Sequence, residues 1–176
     1  MNAPERGTAN EAMRVIVAAP LTREAFAAYG ELLAPGEQGR EINFGTTRRF
    51  DDVAPLDVEE DGGRAAVAIF RTDAHTHRAP YPLRAFERHL LGSQSFVPLG
   101  AGRCLAVLAG AGAAPDEEGI AAFIIEPGQG ITLRRGVWHH PLITIGAADV
   151  LVIERQAREE DCEVVALRGR AEVRLP

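Results

Sequence analysis

Glu87, His89, Gln94 and His139 are the residues of this chain whose types and spacing best suit chemistry. Three of them fall in the run Glu87-Arg88-His89-Leu90-Leu91-Gly92-Ser93-Gln94. The fourth follows about fifty residues later in Gly136-Val137-Trp138-His139-His140-Pro141. An imidazole titrates near working pH, and a buried carboxylate can serve as acid or base. The same nitrogen and oxygen atoms suit a divalent zinc, nickel, manganese or iron ion. Side chains repeat with period two along a strand, so Glu87 and His89 share a face. They meet His139 if both segments line one pocket. The alternative is a surface-charged turn at Glu87 to His89, with Gln94 a buried hydrogen-bond partner. A neutral Gln is a poor substitute for a carboxylate, so a metal held through Gln94 is held less tightly.

Neighbouring positions divide by the same period. His139 and His140 cannot both face inward in an extended segment, so His139 is the pocket candidate and His140 a core, interface or substrate-binding one. Trp138, the only tryptophan, reads equally as packing or substrate contact. Ser93 and Gln94 are candidates for binding polar substrate groups. Asn43 and Arg49 form a second polar cluster with Arg48 and Asp51. A guanidinium suits a bidentate grip on a carboxylate, and the alternative for Arg49 is a surface salt bridge to Asp51 or Asp52. His75-Thr76-His77 looks like a ligand pair, but its polar surroundings favour a solvated loop. Glu154-Arg155 and Asp161-Cys162 say little by themselves.

The elements that must position these residues are strands. Eight short runs, at 65–71, 93–99, 103–108, 121–126, 130–133, 140–145, 150–154 and 163–167, are rich in Val, Ile, Leu or Phe. Gly and Pro clusters separate them, which indicates an all-β barrel or sandwich. A further strand is expected at 13–19. Thr22 looks like the N-cap of a short helix to Tyr29, with Gly30 as its stop. Residues from there to about 63 read as loop. Residues 1–12 read as a disordered leader and 13–176 as a single domain.

Net charge of −6 argues against nucleic acid, since phosphate contacts need clustered positive charge. All 19 basic residues are arginine. Two cysteines, Cys104 and Cys162, lack metal-binding spacing and favour a reducing compartment. No signal-like start and no 18-residue apolar run occur, so neither secretion nor a membrane span is expected.

The two chemistry-bearing segments follow the paired pattern of a cupin-type jelly-roll barrel, G-x5-H-x-H-x(3,4)-E-x6-G and G-x5-P-x-G-x2-H-x3-N. Glu87, His89 and Gln94 stand where the first has His, His and Glu, with Gly100 closing it. Gly128, Arg134, Gly136 and His139 stand at Gly, Pro, Gly and His of the second. The scaffold of the pattern is kept, with Gly100 one residue early, while half of the ligands are replaced. Beyond this the chain resembles bacterial ureidoglycolate lyases from about Pro20 to Leu167. The resemblance rests on the run from Leu21 to Gly30, on Ile42-Asn43 and Gly45 with Arg49-Phe50-Asp51, on the two central segments, and on Arg155 with Cys162. It departs at Leu90, where the family usually has Pro, and at Phe50, where it has Tyr. It implies a jelly-roll barrel with one or two short helices, forming homodimers in the cytoplasm. It implies release of urea from (S)-ureidoglycolate to leave glyoxylate, with a divalent metal, nickel in particular, and no organic cofactor. In that reading Glu87, His89 and His139 carry the reaction, Asn43 and Arg49 hold the carboxylate, and Ser93 and Gln94 the ureido group. A different metal-dependent cupin enzyme and a non-catalytic small-molecule binder are the rival readings.

Overall fold

A computed structural model describes residues 12–73 and 78–176. The leader up to residue 11 and the His75–His77 loop lie outside the described residues. Strands β1 (Arg14–Val17) and β2 (Ala19–Pro20) lead into helix α1 (Arg23–Phe26). Then follow β3 (Gly30–Leu33), β4 (Arg40–Ile42), β5 (Thr47–Arg49), β6 (Arg64–Thr72), β7 (Tyr81–Arg88) and β8 (Gln94–Pro98). The chain continues with β9 (Cys104–Ala111), β10 (Ala121–Ile125), β11 (Gly130–Leu133), β12 (Val137–His139), β13 (Ile143–Thr144), β14 (Ala148–Gln156) and β15 (Glu163–Arg174).

One sheet runs β3-β11-β8-β14-β6 and the other β1-β15-β7-β12-β9-β10-β2, with β13 beside β9. The cores of these orders, β6-β14-β8-β11 and β7-β12-β9-β10, make a jelly roll. From β6 onward the chain alternates between the two sheets, staying in one only for the β9–β10 hairpin and the short β13. The second sheet also curls on itself, because β1 pairs with β15 while β2, its direct continuation, pairs with β10.

Two apolar clusters result. Between the sheets lie Phe26, Phe96, Cys104, Ala106, Leu108, Phe123, Ile125, Ile131, Val150 and Val152. Inside the curl of the second sheet lie Tyr81, Leu83, Phe86, Leu105, Val107, Ile124, Trp138 and Val173. Alternate residues of β9 and β10 serve the two clusters in turn, which is why these strands read as unbroken apolar runs rather than alternating ones.

The expected elements differ in five places. Thr22 does cap α1, accepting from the Ala25 N–H at 3.2 Å, but the helix proper is one turn. Gly30 is not a helix stop; it opens β3, where a Cβ would stand 1.9 Å from the Thr132 carbonyl oxygen. The stretch read as loop contains β3 and the β4–β5 hairpin, and β7 went unread because Pro82, Arg84, Glu87 and Arg88 interrupt its apolar pattern. The strand expected at 140–145 is broken: β12 ends at His139 and β13 resumes at Ile143, across Pro141.

Candidate active site

Glu87 near the end of β7 and His139 at the end of β12 are direct cross-strand partners. On β12 the faces separate cleanly: Val137 packs between the sheets while Trp138 packs in the curl of the second sheet. His139 lies on the inner side, with its ring 6.5 Å from that of Phe96. His89 follows β7 by one residue, and its ring centroid is 5.6 Å from that of His139. One ligand atom each from Glu87, His89 and His139 lies within 4.8 Å of the others.

Hydrogen bonds set both tautomers. The Val137 carbonyl oxygen lies 3.0 Å from His139 Nδ1, and the Asp161 carbonyl oxygen contacts His89 Nδ1. A carbonyl only accepts, so the neutral imidazoles carry their protons on Nδ1 and turn bare Nε2 atoms inward. Both Nε2 atoms are buried without a hydrogen-bond partner, and Glu87 Oε1 stands 3.5 Å from that of His139. With both rings neutral, three acceptors face one another with no donor between them, and a proton on His139 Nε2 would bridge to Glu87. Burial pushes the Glu87 carboxyl up, but the His139 contact and the charges available on His139, His89 and His140 pull it below its ordinary value. It therefore stays ionised.

Gln94 on β8 faces the same interior from the opposite sheet, since its register partner Leu133 and its strand-mate Phe96 both belong to the inner cluster. Its amide nitrogen donates to Glu154 Oε2 at 2.9 Å, and its Oε1 is buried without a partner. Glu154 sits on β14 two residues beyond Val152, on the inward face. Asp161 clamps the segment after β7: its carboxylate accepts from the Leu90 and Leu91 N–H groups at 3.0 and 2.6 Å, besides the carbonyl contact to His89. Sequence reasoning passed over both acids. The inward spacing Val150, Val152, Glu154 was a usable signal for the first; the second acts mainly through backbone contacts that leave no pattern.

The other candidates have their own contacts. Ser93 is buried but clasps the 57 loop, accepting from the Asp57 N–H at 2.9 Å. Trp138 is buried, donates to the Gly112 carbonyl at 3.1 Å and lies under the Arg88 guanidinium at 4.4 Å. His140 sits edge-on to Phe86 and bonds backbone atoms of Arg84 and Pro141. Asn43 and Arg49 lie on the exposed β4–β5 hairpin, where Arg49 meets Asp51 at 2.5 Å. The structure brings neither to the Glu87–His89–His139 cluster.

Cavity size does not pick out the site. A cavity of about 620 Å³ lies among Arg14, Glu117 and Arg168, away from the cluster. A pocket of about 30 Å³ reaches His89, with Ser93, Glu154 and Asp161 on its other walls.

The model of the ureidoglycolate lyase family matches residues 13–174. The chain belongs to the ureidoglycolate lyase family. A ureidoglycolate lyase of Burkholderia mallei is 43% identical over 145 residues, covering 81% of this chain and 84% of that one. One from Pseudomonas putida is 40% identical over 153 residues, covering 86% and 90%. An oxalate decarboxylase from Bacillus subtilis aligns in structure at a TM-score of 0.34 and 14% identity, over 63% of this chain and 29% of that one. At that score the jelly roll rests on the strand order itself. Among the described residues no helix is long and apolar enough to cross a membrane.

The family's implied metal can be tested against the donor set. Two imidazoles and a carboxylate form a familiar trio for divalent first-row ions. Bonds of roughly 2.0–2.2 Å leave ligand atoms about 3–4.4 Å apart, close to the spacing within the cluster. Each histidine has its other nitrogen tied to a backbone carbonyl, the outer support that metal-bound imidazoles ordinarily have. The residues fit a divalent ion.

Proposed function

We propose that the chain eliminates urea from (S)-ureidoglycolate, leaving glyoxylate, and that the reaction takes place at Glu87, His89 and His139. Family membership supports the activity. The convergence of two buried, unpartnered Nε2 atoms with the half-buried Glu87 carboxylate supports the place. Ureidoglycolate carries hydroxyl, carboxylate and ureido nitrogen on one carbon. Elimination moves the hydroxyl proton to a base, forms C=O, breaks C–N and returns a proton to the departing nitrogen. Water is not consumed. An imidazole with a bare Nε2 can accept the hydroxyl proton, and once protonated it can supply the urea nitrogen. Glu87, ionised beside His139, stabilises the imidazolium in between. A divalent ion, nickel in our reading, would be held by these same Glu87, His89 and His139 atoms and would polarise a substrate oxygen, and an Nε2 atom bound to it would no longer serve as the base.

Substrate groups need their own partners. Gln94 accepts from the ureido N–H groups; for Arg49 and Asn43 to grip the carboxylate, the β4–β5 hairpin must reach the cluster and Arg49 must exchange Asp51. We place the enzyme in the cytoplasm, a reading supported by two free cysteines, and as a homodimer. Support for the dimer comes from β6, which pairs on one side with β14 and exposes Val67, Ile69 and Phe70 along nine residues. A bare apolar edge of that length is ordinarily covered. The deciding assay measures glyoxylate and urea together on purified protein, with and without chelator. Equimolar release supports elimination. Release of ammonia in place of urea, or no turnover with stoichiometric iron bound, would favour another enzyme on the same barrel.

A further inference from the structure

We propose that Glu154 is a positioning residue that fixes the Gln94 amide so that its carbonyl oxygen, not its nitrogen, faces the substrate. The inference rests on the ureidoglycolate reading and assigns a role to a residue outside the reacting trio. An ionised carboxylate only accepts, so the 2.9 Å contact to Glu154 Oε2 commits the Gln94 amide nitrogen to that side. The carbonyl must then point the other way, and Oε1 is buried with no donor. Gln94 itself is 6% exposed and lies on the inward face of β8. Without Glu154 the opposite orientation would be the better one in the free protein. The amide nitrogen would turn toward acceptors, of which the interior holds two in the bare Nε2 atoms of His89 and His139.

The consequence is selective. The ureido group of the substrate, and urea itself, present N–H donors and meet a complementary oxygen. Glyoxylate has no N–H and gains nothing from this atom. Gln94 in its observed orientation therefore reads the leaving group, and Glu154 keeps it readable.

The test compares urea and glyoxylate as inhibitors and as ligands in calorimetry, for wild type, Glu154→Gln, Gln94→Met and the double variant. A neutral hydrogen bond contributes a factor of roughly two to ten in affinity. Glu154→Gln should weaken urea by about that factor, raise KM alike, and leave glyoxylate affinity and kcat within about twofold. The double variant should lose no more than Gln94→Met alone, since both act through one atom. Equal losses for urea and glyoxylate would overturn the assignment, because they indicate general damage to the pocket. A fall in kcat at constant KM would also overturn it, making Glu154 part of the proton chemistry. If Glu154→Gln does not fold, Glu154→Asp tests the same point, as the shorter arm gives up the 2.9 Å contact. Wild-type protein that binds urea without turning over ureidoglycolate would sink the lyase reading while leaving the orientation test intact.

Discussion

His139 is anchored by a hydrogen bond to its own strand, so truncating it removes an inward acceptor and breaks no long-range hydrogen bond. His139→Ala should therefore lower kcat by about 10²–10⁴-fold, the usual worth of a general base, while circular dichroism still reports a folded barrel. Turnover like that of wild type would return His139 to a packing role. At Arg49 the question is affinity. The side chain is half exposed and paired with Asp51, whose carboxyl is held below its ordinary value chiefly by the hydrogen bond from Arg40, with Arg49 adding to the effect. Asp51 thus keeps one arginine partner when Arg49 leaves. If Arg49 grips the substrate carboxylate, Arg49→Met should weaken glyoxylate at least tenfold in calorimetric titration, as a charge-assisted bond contributes about 1.5–3 kcal/mol. Urea affinity should stay constant. Equal losses for both would mean that the carboxylate is held elsewhere.

At the scale of elements, Gly30 shows how a right residue can carry a wrong reason. Its position after a helical stretch suggested a C-terminal stop, yet what demands glycine is the approach of β11, whose Thr132 carbonyl occupies the place of a Cβ. Gly30→Ala must push β3 off Leu133 and should cost about 1–3 kcal/mol in urea or guanidinium denaturation, the range for forced overpacking. An unchanged midpoint would show that the β3 edge yields freely. The same contrast marks what was legible. Period two separates His139 from His140 without any tertiary knowledge, and the apolar runs of β8, β9, β10, β11 and β14 stand out because their strands are buried. β7 carries charges on an amphipathic face, and β4 and β5 are exposed hairpin strands, so neither has an apolar signal to read. Asn43 and Arg49 are read as carboxylate holders from guanidinium chemistry and the family resemblance; whether a hairpin folds over a site or stands off it depends on packing that local sequence does not encode.

For the molecule as a whole, the inner cluster joins the two sheets and so carries their cohesion. Cys104 lies fully buried in it, in register with Ile125 on β10 and Thr144 on β13. Desolvation pushes its thiol from 9.0 up to about 12. In the unfolded chain the thiol ionises from about pH 9, whereas in the folded barrel it keeps its proton until about 12. Between those values the unfolded state binds fewer protons, so stability is full below the unfolded pKa and falls as pH rises, by up to about 1.4 kcal/mol per unit. From pH 8 to pH 10 the loss attributable to Cys104 should be about 1.4 kcal/mol. Cys104→Ala removes the titrating group while retaining a small apolar side chain, so it should flatten the alkaline slope by that amount, whatever its offset at neutral pH. Cys162 and Tyr81, both also raised by burial, remain in the variant and leave a residual slope of the same sign. Denaturant midpoints at pH 8, 9 and 10 for the two proteins measure the difference. Parallel slopes would mean that Cys104 titrates alike in both states and that the inner cluster admits water at its edge.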